Sequence, residues 1–110
     1  MTDQHLTTLA AKAAGYTILD GYDDRSMSVC DPETGLSTVD WSPLDNDADA
    51  FRLMIKLRIL IGVHHGETWA QSYSKTSGWL TIKEPQGVSA YAATRRAIVK
   101  VAAEIASRPS

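Results

Sequence analysis

The sequence predicts an α+β fold: an antiparallel sheet of about five strands with three helices, in the order α-β-β-β-α-β-β-α. Three observations carry that expectation. Short runs of β-prone residues lie on either side of turn-forming clusters, which is the signature of hairpins rather than of parallel crossovers. Three longer segments repeat their apolar residues at helical spacing. The chain of 110 residues is 44% hydrophobic and 22% charged, the composition of one ordinary folded domain spanning residues 1–110.

The first helix is expected over Thr2 to Ala14, where Leu6, Leu9, Ala10 and Ala13 share a face and Gly15 sits where a helix ends. Tyr16-Thr17-Ile18-Leu19 and Met27-Ser28-Val29-Cys30 then flank a loop rich in turn residues and predict a hairpin. Asp31-Pro32-Glu33-Thr34-Gly35 predicts a second reversal, and Leu36-Ser37-Thr38-Val39 a third strand. Asp45 or Asn46 caps a second helix, with Asp47 and Asp49 in the first turn, where the helix dipole favours acids. That helix is expected to reach about Leu60 and to stop at Gly62. Its apolar stripe is read as Phe51, Met54, Ile55 and Arg58, widened by Leu53, Leu57 and Leu60. Trp69, Gln71 and Tyr73 alternate with small residues, and a loop at Lys75 to Gly78 leads into Trp79 to Lys83, a second hairpin. Ser89 caps a last helix over Ala90 to Ala106. Its buried stripe is read as Thr94, Ala97, Ile98, Val101 and Ile105, with Arg95, Arg96 and Lys100 facing outward.

Charge is segregated along the chain. Residues 20–49 hold nine acids against Arg25 alone, whereas residues from 50 onward hold nine bases against Glu67, Glu84 and Glu104. A fold that keeps these segments apart has a strong dipole. The acids expected to meet a partner are Asp20, Asp23, Asp24, Asp45, Asp47 and Asp49, and the partner expected is a protein with a basic surface. The alternative is nucleic acid, met by Arg95, Arg96 and Lys100, although a pI near 5.8 weighs against a dedicated nucleic-acid binder. Trp41, Trp69 and Trp79 are read as core and sheet-face residues rather than as a base-stacking platform.

Catalytic and metal chemistry find little support. His64-His65-Gly66-Glu67 contains zinc-ligand types, but adjacent side chains on an extended segment point to opposite faces and cannot easily share one ion. The pair is read as part of a polar loop beside a hairpin. Asp20 to Asp31 lacks the register of a calcium loop. There is no Gly-rich phosphate loop, nucleophile elbow or C-x-x-C pair. Cys30, the only cysteine, is read as a small buried hydrophobe, and one cysteine permits no internal disulfide. No enzyme activity, cofactor or metal is expected. A reducing cytoplasmic setting is expected, because the first residues lack the basic start and apolar run of a signal peptide. No membrane partner is expected, since Lys56 and Arg58 interrupt the longest apolar stretch. The alanine-rich last helix suits packing on a second copy of the chain as well as on its own sheet, so a homodimer is open.

Two segments resemble small uncharacterised proteins encoded by bacteriophages and prophages, including the NinX-like group. One is Asp40-Trp41-Ser42-Pro43-Leu44-Asp45-Asn46-Asp47-Ala48-Asp49-Ala50-Phe51-Arg52-Leu53, similar to that group's W-[NS]-P-L-x-[DN]-D-x-D-A-x-R-L pattern. The other is Ala93-Thr94-Arg95-Arg96-Ala97-Ile98 and the residues after it, similar to its A-x-R-R-A-I helix. The resemblance covers under a third of the chain and implies an origin in phage or prophage DNA. Small phage accessory proteins often modulate host machinery, including defence systems such as CRISPR effectors. The resemblance therefore implies a non-enzymatic accessory protein in the cytoplasm of a bacterial host, with a defence effector complex among the candidate partners and anti-CRISPR-like inhibition among the candidate effects.

Overall fold

The computed structural model describes residues 2–19, 26–76 and 78–108. The element order is α1 (Asp3–Ala13), β1 (Thr17–Ile18), β2 (Met27–Cys30), β3 (Ser37–Trp41), α2 (Asp47–Leu57), β4 (Leu60–Val63), β5 (Glu67–Ser74), β6 (Gly78–Pro85) and α3 (Ala90–Ser107). The α+β class and the three helices agree with expectation, but among the described residues the strands number six and form two separate three-stranded antiparallel sheets, β1-β2-β3 and β4-β5-β6. The expectation of one sheet of about five strands is corrected on both counts.

The extra strand comes from the end of α2. That helix stops at Leu57 because Arg58 turns into the left-handed region, with φ at 55°, and its N–H closes the helix on the carbonyls of Ile55 and Met54. Leu60–Val63, read from sequence as the last turn of the helix and its stop, is a strand paired with β5. Gly62 is not a helix terminator. It lies opposite Trp69, and a Cβ there would stand 2.9 Å from Nε2 of His64, whose ring packs on Trp69 with centroids 4.6 Å apart.

In the first sheet, β3 is bulged. Met27 pairs with Trp41 and Val29 with Thr38, so Val39 and Asp40 together oppose one residue of β2. Asp40 takes the positive φ of 56° that the bulge requires, a conformation aspartate tolerates better than most residues. The bulge shifts the inside-outside phase, which is why Val39 is exposed while Trp41, two residues on, is buried. Tyr16 meets the Trp41 ring edge-on at 5.5 Å.

Helix α3 is the centre of the molecule and packs against α1, α2 and all three strands of the second sheet. Ala97, Ile98 and Val99 are all buried, and three consecutive residues sweep roughly 200° of a helix, so α3 is covered from more than one side. The sequence-predicted stripe was too narrow: Ala93, Val99, Ala102 and Ala103 join Ala97, Ile98 and Val101 inside, while Thr94 and Ile105 are half-buried. The many alanines allow this close approach. One apolar cluster unites α1, α2, α3 and both sheets, with Leu6, Met27, Trp41, Leu53, Ala70 and Val101 among its members. No described helix is long and apolar enough to cross a membrane.

Candidate interaction surfaces

Among the described residues, the charged side chains singled out by sequence are committed within the fold. Asp49 is buried, only 7% exposed, and its Oδ2 accepts the backbone N–H of Ser42 at 2.9 Å. Asp45 accepts the Ser42 hydroxyl at 3.0 Å. The cap of α2 is Asn46, whose side chain accepts from the Asp49 N–H at 3.0 Å. Asp47 meets the guanidinium of Arg95 at 2.6 Å, and Arg95 also donates through Nε to the carbonyl of Leu44 at 2.8 Å. Thus Asp45, Asp47 and Asp49 lie close together, but each already holds a group of this chain. Asp20, Asp23 and Asp24 lie outside the described residues.

The basic candidates behave the same way. Arg96 pairs with Asp3 at 3.2 Å and Lys100 with Glu84 at 2.9 Å. Arg95, Arg96 and Lys100 therefore do not form an outward-facing basic row. All three are half-buried, because α3 runs through the middle of the molecule with α1 and the second sheet against the flanks expected to be open. Glu104 takes Arg108, at 3.7 Å, in place of the Lys100 partner that spacing suggested. Lys56 bridges Asp31 at 2.9 Å and Glu33 at 3.3 Å, bringing the middle of the acidic stretch onto α2. Its ammonium holds the Asp31 carboxyl below the usual carboxylate range, and Asp31 in turn holds Lys56 above the usual lysine range. The Tyr16 phenol, 5.3 Å from the same ammonium, is pushed up chiefly by burial. Folding thus joins the two charged segments through Lys56 and Arg95.

The segments 40–53 and 93–98 meet in space through the bonds from Arg95 to Leu44 and Asp47. In this fold they form the joint between β3, α2 and α3. Their tryptophan is core, and their serine, asparagine and aspartates close the turn into α2.

His64 and His65 are exposed at the tight turn between β4 and β5, and among the described residues no three His, Cys, Asp or Glu side chains are grouped to hold a metal ion. Cys30 is half-buried and unpaired.

What the helical periodicity missed is the apolar surface. Phe51 and Ile55, read as core, are exposed, because α2 turns Ala50 and Leu53 inward instead. Phe51 forms one wall of a groove of about 480 Å³ between α2, β4 and the first turns of α3. Met54, Ile61, Val63, Tyr91 and Ile98 line most of the rest, with Asp47 and Arg95 at its polar side. Phe51 is 58% exposed and Tyr91 73% exposed. A volume of this size falls within the range of specific binding grooves. On the other side of Phe51 a second depression lies between α2 and the β2–β3 turn.

A second open surface is the outer face of β4-β5-β6. There Tyr73 and Trp79 pair across the strands with centroids 5.2 Å apart, Gln71 donates to Thr81 at 3.2 Å, and Lys83 sits 5.1 Å from the Trp69 ring. Of the three tryptophans, Trp41 is core while Trp69 and Trp79 belong to this face.

Neither a family model, nor a curated protein, nor a solved structure matches this chain.

Proposed function

We propose that this chain is a non-enzymatic accessory protein of phage or prophage origin that binds a host protein, with a bacterial defence effector as the first candidate. The observation that carries the binding reading is the groove at Phe51, Val63 and Tyr91. Two large aromatic side chains stand more than half in water beside an apolar cleft, and buried aromatic anchors dominate protein interfaces. The phage origin rests on the two resembling segments. Electrostatic attraction to a basic partner rests with Asp20, Asp23 and Asp24, since Asp45, Asp47 and Asp49 are engaged internally.

The test is affinity purification from a bacterial host lysate with mass spectrometry, using the native chain, a Phe51→Asp/Tyr91→Asp variant and an Asp47→Lys variant. The groove variant is expected to weaken capture at least about a hundredfold, the scale of interface hot spots, while keeping its fold because both side chains are exposed. Asp47→Lys is expected to weaken capture far less than the groove variant, since Asp47 lies at the polar side of the groove and not in its apolar wall. Recovery of no host protein, or capture indifferent to the groove variant, sinks the reading.

The nucleic-acid alternative moves to another surface. With Arg95, Arg96 and Lys100 engaged, the residues suited to it are Trp69, Tyr73, Trp79 and Lys83 on the open sheet face, aromatic rings for bases and a cation for phosphate. A mobility shift with single-stranded DNA or RNA at low salt, abolished by Trp79→Ala, supports it. No shift at all removes it.

A further inference from the structure

The strand missed by sequence supplies the most specific feature of the groove. In the β4–β5 hairpin the N–H of His64 bonds to the carbonyl of Glu67 at 3.0 Å, and the paired residues continue as Val63 with Thr68, Gly62 with Trp69, Ile61 with Ala70 and Leu60 with Gln71. Antiparallel pairs alternate between exchanging backbone hydrogen bonds and not exchanging them. His64, Gly62 and Leu60 therefore turn their backbone groups toward β5, and Ile61 and Val63 turn theirs away. β4 is the edge of its sheet, so the N–H and C=O groups of Ile61 and Val63 form a free edge.

The same two residues send their side chains into the groove. Ile61 and Val63 lie opposite Ala70 and Thr68, which are buried on the face that α3 covers, and both line the cleft beneath Phe51 and Tyr91. The helical layer is thus wider than the sheet beneath it. Ala50, Phe51 and Met54 of α2 and Ala90, Tyr91 and Ile98 of α3 stand where the inward side chains of one more strand belong. Edge strands are ordinarily guarded by lysines, prolines or bulges, and Leu60-Ile61-Gly62-Val63 has none.

Charge narrows the occupant. Arg58, at the start of the edge, is exposed and without an ion pair among the described residues, and the exposed His64 and His65 stand at its other end. The acids nearest in sequence are engaged, Asp49 by the backbone N–H of Ser42 at 2.9 Å and Glu67 by the indole N–H of Trp69 at 2.7 Å. A second copy of β4 laid antiparallel brings Arg58 against the partner copy's histidine turn, and the edge residues 58–65 themselves hold no acid to meet either.

We infer that β4 accepts an extended segment of a partner protein as a fourth strand, its alternate apolar side chains entering the groove and an acidic residue at its end meeting Arg58. This deepens the host-protein reading and rests on it. Backbone bonding supplies affinity in this mode, and the side-chain groove supplies specificity.

The probe is a synthetic nine-residue peptide alternating valine and threonine, with either glutamate or lysine at both ends, titrated into the native chain and three variants and followed by NMR. The glutamate-ended peptide is expected to bind with micromolar affinity and to slow amide exchange at Ile61 and Val63. The lysine-ended peptide is expected to bind at least about tenfold more weakly, in keeping with charge discrimination at an interface. Val63→Pro removes an N–H on the free side and leaves the β4–β5 bonds intact, so it is expected to abolish binding in a folded protein. Val63→Thr keeps both that N–H and the branched shape and is expected to retain binding, and Arg58→Ala is expected to erase the preference for glutamate. Absence of binding at millimolar peptide, equal binding by Val63→Pro, or light scattering that shows a dimer broken by Val63→Pro overturns the inference, the last by placing a second copy on the edge. Lysate capture separates the two readings: a partner lost with Phe51→Asp/Tyr91→Asp but kept with Val63→Pro leaves protein binding standing and removes strand addition.

Discussion

Around Arg95, the charged groups of this chain are satisfied from within: Asp47 and the carbonyl of Leu44 take the guanidinium, and Asp49 takes the Ser42 N–H. Along the groove that begins at the same Arg95, Phe51, Val63 and Tyr91 are left largely in water. In the sequence the prominence runs the other way, with the charges forming conspicuous blocks and the apolar residues passing for ordinary core. The difference teaches that a charge block is informative about function only after its internal partners are subtracted. An apolar residue becomes informative only when the fold fails to cover it. The comparison breaks if the charged joint proves dispensable to the fold.

Asp49→Ala is the severest test of that joint. The substitution removes the buried carboxylate that accepts the Ser42 N–H, and losing a hydrogen bond to a charged group costs about 1.5–3 kcal/mol. The expected loss in urea or thermal unfolding is about 2 kcal/mol, enough to shift the equilibrium roughly thirtyfold. Asp49→Asn keeps an oxygen in place and should recover part of it. A stability unchanged by Asp49→Ala would show that the aspartate is free for a partner after all, and would restore Asp49 to the binding surface.

How much was legible follows the same division. Element types came through where local chemistry decides them: Thr2, Asn46 and Ser89 cap the three helices, and Gly15 follows the first with φ at 78°. β4 was not legible, because the apolar residues from Leu53 to Val63 continue past Lys56 and Arg58 with no proline or turn cluster to divide them, and the stop is Arg58, a residue with no sequence mark of a helix terminator. The division into two sheets was not legible because it follows from long-range packing, such as that of α3 against β4, β5 and β6, which local pattern does not encode. Asp45, Asp47 and Asp49 are close in sequence and in the fold, yet their bonds to Ser42 and Arg95 span separate elements and leave no trace in spacing. Phe51 lies on the apolar stripe, and only the position of β4 and α3 reveals that the stripe is too wide to be covered.

A gentler effect is expected from the bridge between Asp31 and Lys56. Asp31 titrates below its ordinary 3.8, chiefly through its hydrogen bond to Lys56, so its contribution is complete above that value and is lost as pH falls through the lowered one. Lys56 titrates above its ordinary 10.5, chiefly through Asp31, so its contribution is complete below that value and is lost as pH rises through the raised one. Tyr16, raised by burial, also erodes stability at high pH, since ionising its phenol costs more in the folded state. Urea midpoints measured across pH should show Lys56→Met flattening the acid limb and Tyr16→Phe flattening only the alkaline one. An acid limb untouched by Lys56→Met would mean that the bridge contributes nothing in solution.

The smallest change is expected at Asp47, which is the sharpest contrast with Asp49 two residues on. Asp47 is 70% exposed, so its 2.6 Å bond to Arg95 is made at the edge of solvent, where an ion pair contributes about 0.5 kcal/mol and salt screens it. Arg95 also keeps its bond to the Leu44 carbonyl when Asp47 is gone. Asp47→Ala should therefore lower stability by no more than about 0.5 kcal/mol in dilute buffer and by less in 1 M salt, where the Debye length is only about 3 Å. A loss comparable to that of Asp49→Ala would mean that the pair anchors α3 to the start of α2 and fixes one wall of the groove. Asp47 would then govern partner binding indirectly, through the position of Tyr91 one turn before Arg95 on α3.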